Sequence, residues 1–141
     1  MGTNPFPCNT NLAISEIIHT EKYAIFLRND DIIQVQISDG VECDVKDSLK
    51  IVDAIAKVGA GKKYPLMAIY GSFDTFTKEG MEVIANHSFS LADALVTHQH
   101  WAIELIAKFY LKRYDPNRPT RIFANEEAAI DWLQSFLDKK N

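Results

Sequence analysis

The spacing of apolar and polar residues changes period several times along the chain, and each change marks an element. Residues 22–28, Lys-Tyr-Ala-Ile-Phe-Leu-Arg, read as a strand. Residues 31–38 alternate, with Ile33, Val35 and Ile37 on one face and Gln34 and Gln36 on the other. Asn29-Asp30 joins the two runs as a tight turn, giving a β-hairpin with one core side and one wet side, and Asp39-Gly40 closes it. Asp44 then caps a helix predicted over 45–58, with Asp47 in its first turn where negative charge suits the helix dipole. Leu49, Val52, Ile55 and Ala56 form its apolar stripe, reinforced by Ile51 and Val58, and Gly59-Ala60-Gly61 stops it.

The uncharged run 65–70 predicts a strand buried on both faces. A polar loop follows over 71–77, and Thr77 opens a helix over 78–87 carrying Met81, Ile84 and Ala85. Gly80 inside it costs about 1 kcal/mol against Ala, so close packing or motion is expected there. Residues 89–96 read as a strand interrupted by Asp93. In the helix predicted over 99–113, Glu104, Lys108 and Lys112 form a charged stripe at four-residue spacing. Trp101, Ile103, Leu105, Ile106, Phe109, Tyr110 and Leu111 occupy the rest. That apolar surface is too wide for one neighbour, so part of it is expected to face a partner or a ligand, the plain alternative being a helix wedged against another helix. A strand over 120–123 and a helix capped by Asn125, docked by Ala129, Ile130, Leu133, Phe136 and Leu137, end the pattern. Residues 1–21 read as a flexible lead-in, with a short apolar piece at Ile14, Ile17 and Ile18, and residues 22–141 as a single domain.

Length and composition narrow the function classes. At 141 residues the chain can bury a core without staples, and its formal net charge of −4 offers no electrostatic footprint for nucleic acid. The densest basic cluster is Lys108, Lys112, Arg113, Arg118 and Arg121. No apolar run approaches the length of a membrane span, and the N-terminus lacks a signal-peptide layout, so a reducing cytoplasmic setting is expected. Cys8 reads as a free thiol in the lead-in and Cys43 as a half-buried residue near a helix start, neither beside a cationic activator.

The element order β-β-α-β-α-β-α-β-α carries a resemblance. With Tyr64-Pro65-Leu66 entering the central strand and Thr120-Arg121-Ile122-Phe123…Glu126-Glu127-Ala128…Trp132-Leu133 closing the chain, residues 22–138 resemble an uncharacterised bacterial family of STAS-like proteins, related to anti-sigma factor antagonists. The resemblance implies an α/β fold with a mixed β-sheet of about five strands, helices mainly on one face, and the first strand antiparallel to the second. In anti-sigma factor antagonists the loop after the central strand carries an Asp-Ser-Ser-Gly-like motif whose serine a partner kinase phosphorylates. Here that loop contains Ser72, Asp74, Thr75 and Thr77. Asp74-Thr75 keeps an acid followed by a hydroxyl, but Phe76 comes next and no Ser/Thr-Gly pair follows. A phosphate on Thr75 or Thr77 would suit a helix N-terminus, whereas a helix cap is the simpler role for a threonine there.

The remaining chemistry is sparse. His98, His100 and Glu104 lie near one helix start, a spacing compatible with a metal, yet no His-Glu-x-x-His or Cys-x-x-Cys pattern accompanies them. They read as exposed loop histidines, and no metal or cofactor is expected. Asp30-Asp31 and Glu126-Glu127 have structural explanations in a turn and a helix first turn. Tyr70, Phe73 and Phe76 read as core more readily than as a pocket. The expectation is therefore a non-enzymatic module that binds a protein partner through the 71–80 segment and through Trp101, Leu105 and Phe109, a homodimer being one form of it. The alternative is a small apolar, lipid-like ligand held between helix 99–113 and the sheet. A metal-dependent enzyme built on His98, His100 and Glu104 ranks last.

Overall fold

A computed structural model describes residues 17–98 and 100–138. Most of the predicted lead-in, with Cys8 and Ile14, lies outside the described residues, as do Gln99 and Lys139-Lys140. The hairpin strands are β2 (Tyr23–Leu27) and β3 (Ile33–Ile37), paired antiparallel with Ile25 opposite Val35. Their connection is one residue longer than the two-residue turn expected. The Asp31 N–H donates to the Arg28 carbonyl and the Arg28 N–H to the Ile32 carbonyl, with Asp31 in the left-handed region at φ 64°. Aspartate tolerates that conformation better than most side chains. The short apolar piece before the hairpin supplies β1 (Ile18–His19), antiparallel to β2.

Past β4 (Glu42–Cys43), α1 (Val45–Val58) starts at Asp44 with a reciprocal cap, in which the Asp44 carboxylate accepts from the Asp47 N–H and Asp47 accepts from the Asp44 N–H. Lys22 reaches the same Asp47 carboxylate at 2.7 Å, tying the start of β2 to the start of α1. Then come β5 (Leu66–Ile69), β6 (Thr75–Phe76), α2 (Lys78–Asn86), β7 (Asp93–Val96), α3 (Trp101–Tyr114), β8 (Thr120–Phe123) and α4 (Glu126–Asp138). The main sheet has six strands in the order β1-β2-β3-β5-β7-β8, parallel from β3 onward and antiparallel before it. The strand expected over 89–96 is confined to its last four residues.

Strand side chains alternate between faces, so β5 is buried twice over. Leu66 and Ala68 join Val35, Ile37 and Leu95 against α1, α2 and α3, while Met67 and Ile69 join Ala94 and Val96 against Ala129 and Leu133 of α4. Three helices thus cover one face and one helix the other. Gly80 serves close packing: a β-carbon there would lie 2.9 Å from the Ser48 hydroxyl and 3.1 Å from the Asp44 carbonyl oxygen, so α1 and α2 touch through it.

Candidate functional site

The segment after β5 is not a free loop. Asp74, 1% exposed, accepts hydrogen bonds from the Val41 N–H at 2.8 Å and the Gly71 N–H at 2.7 Å. Burial pushes its carboxyl above the usual carboxylate range, against the pull of those donors. The Asp39 carboxylate accepts from the Ser72 N–H, and the Gly40 N–H donates to the Ser72 carbonyl. Strand β6 then pairs in parallel with β4, Glu42 opposite Thr75 and Cys43 opposite Phe76. Gly71 is required where the two segments meet, since a β-carbon would lie 2.7 Å from Asp39 Cα. Cys43, expected to be half-buried, is fully buried, and burial pushes its thiol up to about 12.

Each hydroxyl of this segment has a distinct setting. Thr77 is the N-cap of α2, accepting from the Gly80 N–H at 3.0 Å. The Thr75 residue is exposed on β6. Ser72 is half-buried, with its hydroxyl 3.5 Å from His100 Nε2. That approach joins the 71–77 segment to the start of α3. His98 pairs instead with Glu126 at 3.6 Å, and its ring lies 6.4 Å from that of His100. Among the described residues no group of three or more His, Cys, Asp or Glu side chains is placed to hold a metal ion.

Around this junction the surface is apolar. Phe73 is 82% exposed and Trp101 75% exposed, and along α3 Leu105 and Phe109 follow at 58% and 49%. The inner side of the helix buries Ile103, Ala107 and Tyr110. Phe73 holds a φ of 64°, unusual for a bulky side chain and costing about 1–2 kcal/mol. A strained residue displaying an exposed aromatic ring is a pointer to function. Phe73→Gly is expected to leave stability unchanged or raise it by up to about 1 kcal/mol, relief of strain outweighing the extra backbone entropy of glycine. Urea denaturation checks this, and a loss above about 1 kcal/mol would mean that the ring packs in the folded protein.

Beneath that surface, α1, α2, α3 and the sheet line a partly open apolar cavity of about 70 Å³. Ile55, Ile84, Leu95, Ile103 and Ala107 wall it, and Tyr110 and Asp93 lie at its polar end. The Asp93 residue that interrupts an apolar run in the sequence is buried in an ion pair with Arg118 at 2.8 Å and accepts a short hydrogen bond from the Ser90 hydroxyl. Arg118 also donates to the carbonyls of Ile84, Ala85 and His87 at the end of α2, and its guanidinium stacks 4.0 Å from the Phe89 ring centroid. In the sequence Asp93 shows only as a break in an apolar run, and Arg118 reads as one more member of a basic cluster, so nothing local pairs them. The Tyr110 hydroxyl, by contrast, finds no acceptor among the described residues, the neighbouring Arg118 guanidinium being able only to donate.

Likeness to known proteins follows the boundaries of this fold. No curated protein matches the chain. Among solved structures, it is similar to an uncharacterized protein of the DUF3478 family with a SpoIIAA-like fold from Shewanella loihica PV-4, at 16% identity over 82% of this chain and 97% of that one, with a TM-score of 0.48. A family model for a domain of unknown function, DUF7793, matches residues 25–137, which run from within β2 to within α4. By that match over most of its length, the chain belongs to the DUF7793 family.

Proposed function

We propose that this protein is a non-enzymatic STAS-like interaction module whose contact surface is formed by Phe73, Trp101, Leu105 and Phe109. The observation that carries the reading is the exposed apolar stripe on α3, continued onto the 71–77 segment through the approach of Ser72 to His100. A stripe of large apolar side chains with this exposure is typical of contact surfaces. The two most buried carboxylates near the site, Asp74 and Asp93, are committed to structural hydrogen bonds, which leaves them unsuited to acid–base work.

A second copy of the chain is the favoured partner. Trp101, Leu105 and Phe109 recur every four residues, so the stripe has the same spacing read in either direction from Leu105. Antiparallel pairing of two α3 helices about a two-fold axis would set Leu105 on its counterpart and Trp101 on Phe109. The ion pair of Glu104 with Lys108, at 3.8 Å, flanks the stripe as a polar rim. In sedimentation equilibrium the protein is expected to dimerise, and Leu105→Glu at the centre should weaken the dimer by roughly 100-fold. A wild-type chain still monomeric at about 1 mM would sink self-pairing.

A second reading, the holding of a small apolar molecule between α3 and the sheet, is favoured by the cavity beneath the same helix.

A further inference from the structure

We propose that the cavity under α3 takes an uncharged, mostly apolar molecule bearing one hydrogen-bond acceptor oxygen, a ketone, ester or ether, and that the Tyr110 hydroxyl is the group that recognises it. The inference rests on the small-molecule reading and specifies its ligand. Tyr110 lines the cavity and is 7% exposed; the Arg118 guanidinium lies on the side of its oxygen, and its hydroxyl proton meets no acceptor among the described residues. A buried O–H donor without an acceptor is costly, and a ligand oxygen would supply the missing acceptor.

The ligand's charge follows from the groups around it. Asp93 is the charged side chain at the cavity wall, which disfavours a carboxylate or phosphate there. The nearby Arg118 acts on the Tyr110 oxygen, but its charge is neutralised by Asp93 at 2.8 Å and its other N–H groups are taken by the carbonyls of Ile84, Ala85 and His87, so it is not offered to a ligand anion. A cationic ligand would have to compete with that guanidinium for Asp93. Burial also keeps Tyr110 a neutral phenol well above its ordinary range, hence a donor at neutral pH. A neutral acceptor is what remains.

Size sets a second limit. The volume of about 70 Å³ is roughly half that of the engineered cavity of about 150 Å³ that admits benzene. The rim residues Tyr70, Phe76, Ile84 and Ile106 are only partly buried, so a longer molecule can place its oxygenated end at Tyr110 and extend outward between them. A five-membered ring, close to benzene in size, is a suitable probe when its oxygen sits at Tyr110 and its far carbons extend between those rim residues.

The test uses the full chain with cyclopentanone and its hydrocarbon isostere methylenecyclopentane, followed by amide NMR shifts of the cavity-lining residues. Both probes are expected to shift those residues saturably. Tyr110→Phe should weaken cyclopentanone roughly fivefold, the factor of a single hydrogen bond, and leave the hydrocarbon unchanged. Ala107→Leu, which fills the cavity, should abolish both. Without probe, Tyr110→Phe should hold or raise Tm, and a fall of several degrees would show the hydroxyl already satisfied and overturn the proposal. If both probes bind and Tyr110→Phe affects them equally, the apolar-ligand reading stands and Tyr110 recognition is wrong. If neither probe shifts the lining residues, both are wrong.

Discussion

Replacing Arg118 by alanine is expected to lower the unfolding free energy by about 3–5 kcal/mol, the range for removing one partner of a buried ion pair. The Arg118 and Asp93 side chains are 4% and 3% exposed, so the abandoned carboxylate would have no access to solvent. The Ser90 hydroxyl would remain as a partner, which is too little for a full charge. The substitution also strips donors from three carbonyls at the end of α2, the helix terminus where unpaired acceptors collect. Lysine should not rescue the variant, because a single ammonium cannot span Asp93 and the α2 carbonyls as the guanidinium fork does. Replacing both partners, as Asp93→Val with Arg118→Met, should cost less than Arg118→Ala alone, since no charge is then left unpaired. Urea denaturation followed by circular dichroism gives the three values. A loss below about 1 kcal/mol for Arg118→Ala would mean that the pair contributes little beyond its desolvation cost.

Alkaline pH should destabilise the protein by roughly 3 kcal/mol per unit between pH 10 and 11. Burial raises the Cys43 thiol to about 12 and also lifts the phenols of Tyr70 and Tyr110 above their ordinary range. Below the ordinary values both folded and unfolded chains hold these protons, and pH has no leverage. Above them the unfolded chain releases its protons while the folded chain keeps them. The native state therefore binds more protons, and stability falls as pH rises through that window. Each group in the window contributes up to about 1.4 kcal/mol per pH unit. Cys43→Ala should remove one such share from the slope between pH 9 and 11. Urea midpoints at pH 8, 9.5, 10.5 and 11 measure the effect, and a flat profile to pH 11 would contradict the burial of the Cys43 thiol and of the surroundings of the Tyr70 and Tyr110 hydroxyls.

The two predictions share a feature: both depend on groups whose identity is visible in the sequence and whose environment is not. Asp93 is an anomaly in an apolar run, and Arg118 lies 25 residues away beside two prolines. Tyr110 belongs to a helix with apolar residues on most sides, and only the packing of α3 on the sheet separates its inward side from Trp101, Leu105 and Phe109. Likewise Asp74 reads as the acid of a regulatory loop, yet it closes a junction with Val41 across 33 residues.

What the sequence by itself determined is the set of elements governed by near neighbours. The buried run of β5, the caps at Asp44, Thr77 and Asn125, and the stripe of α4 all arise from contacts within a few residues. By contrast, α1 turns Ile51, Ala54, Ile55 and Val58 inward and leaves Leu49 48% exposed, and the expected wet side of β3 buries Gln34. Tertiary structure decided what depends on distant partners. The two-residue strands β4 and β6 are too short to carry a period and exist because each completes the other's hydrogen bonds. The same holds for the approach of Ser72 to His100, for the Asp93–Arg118 pair, and for the cavity. A cavity belongs to no segment, because it is the space left where three helices with side chains of fixed volume meet a twisted sheet.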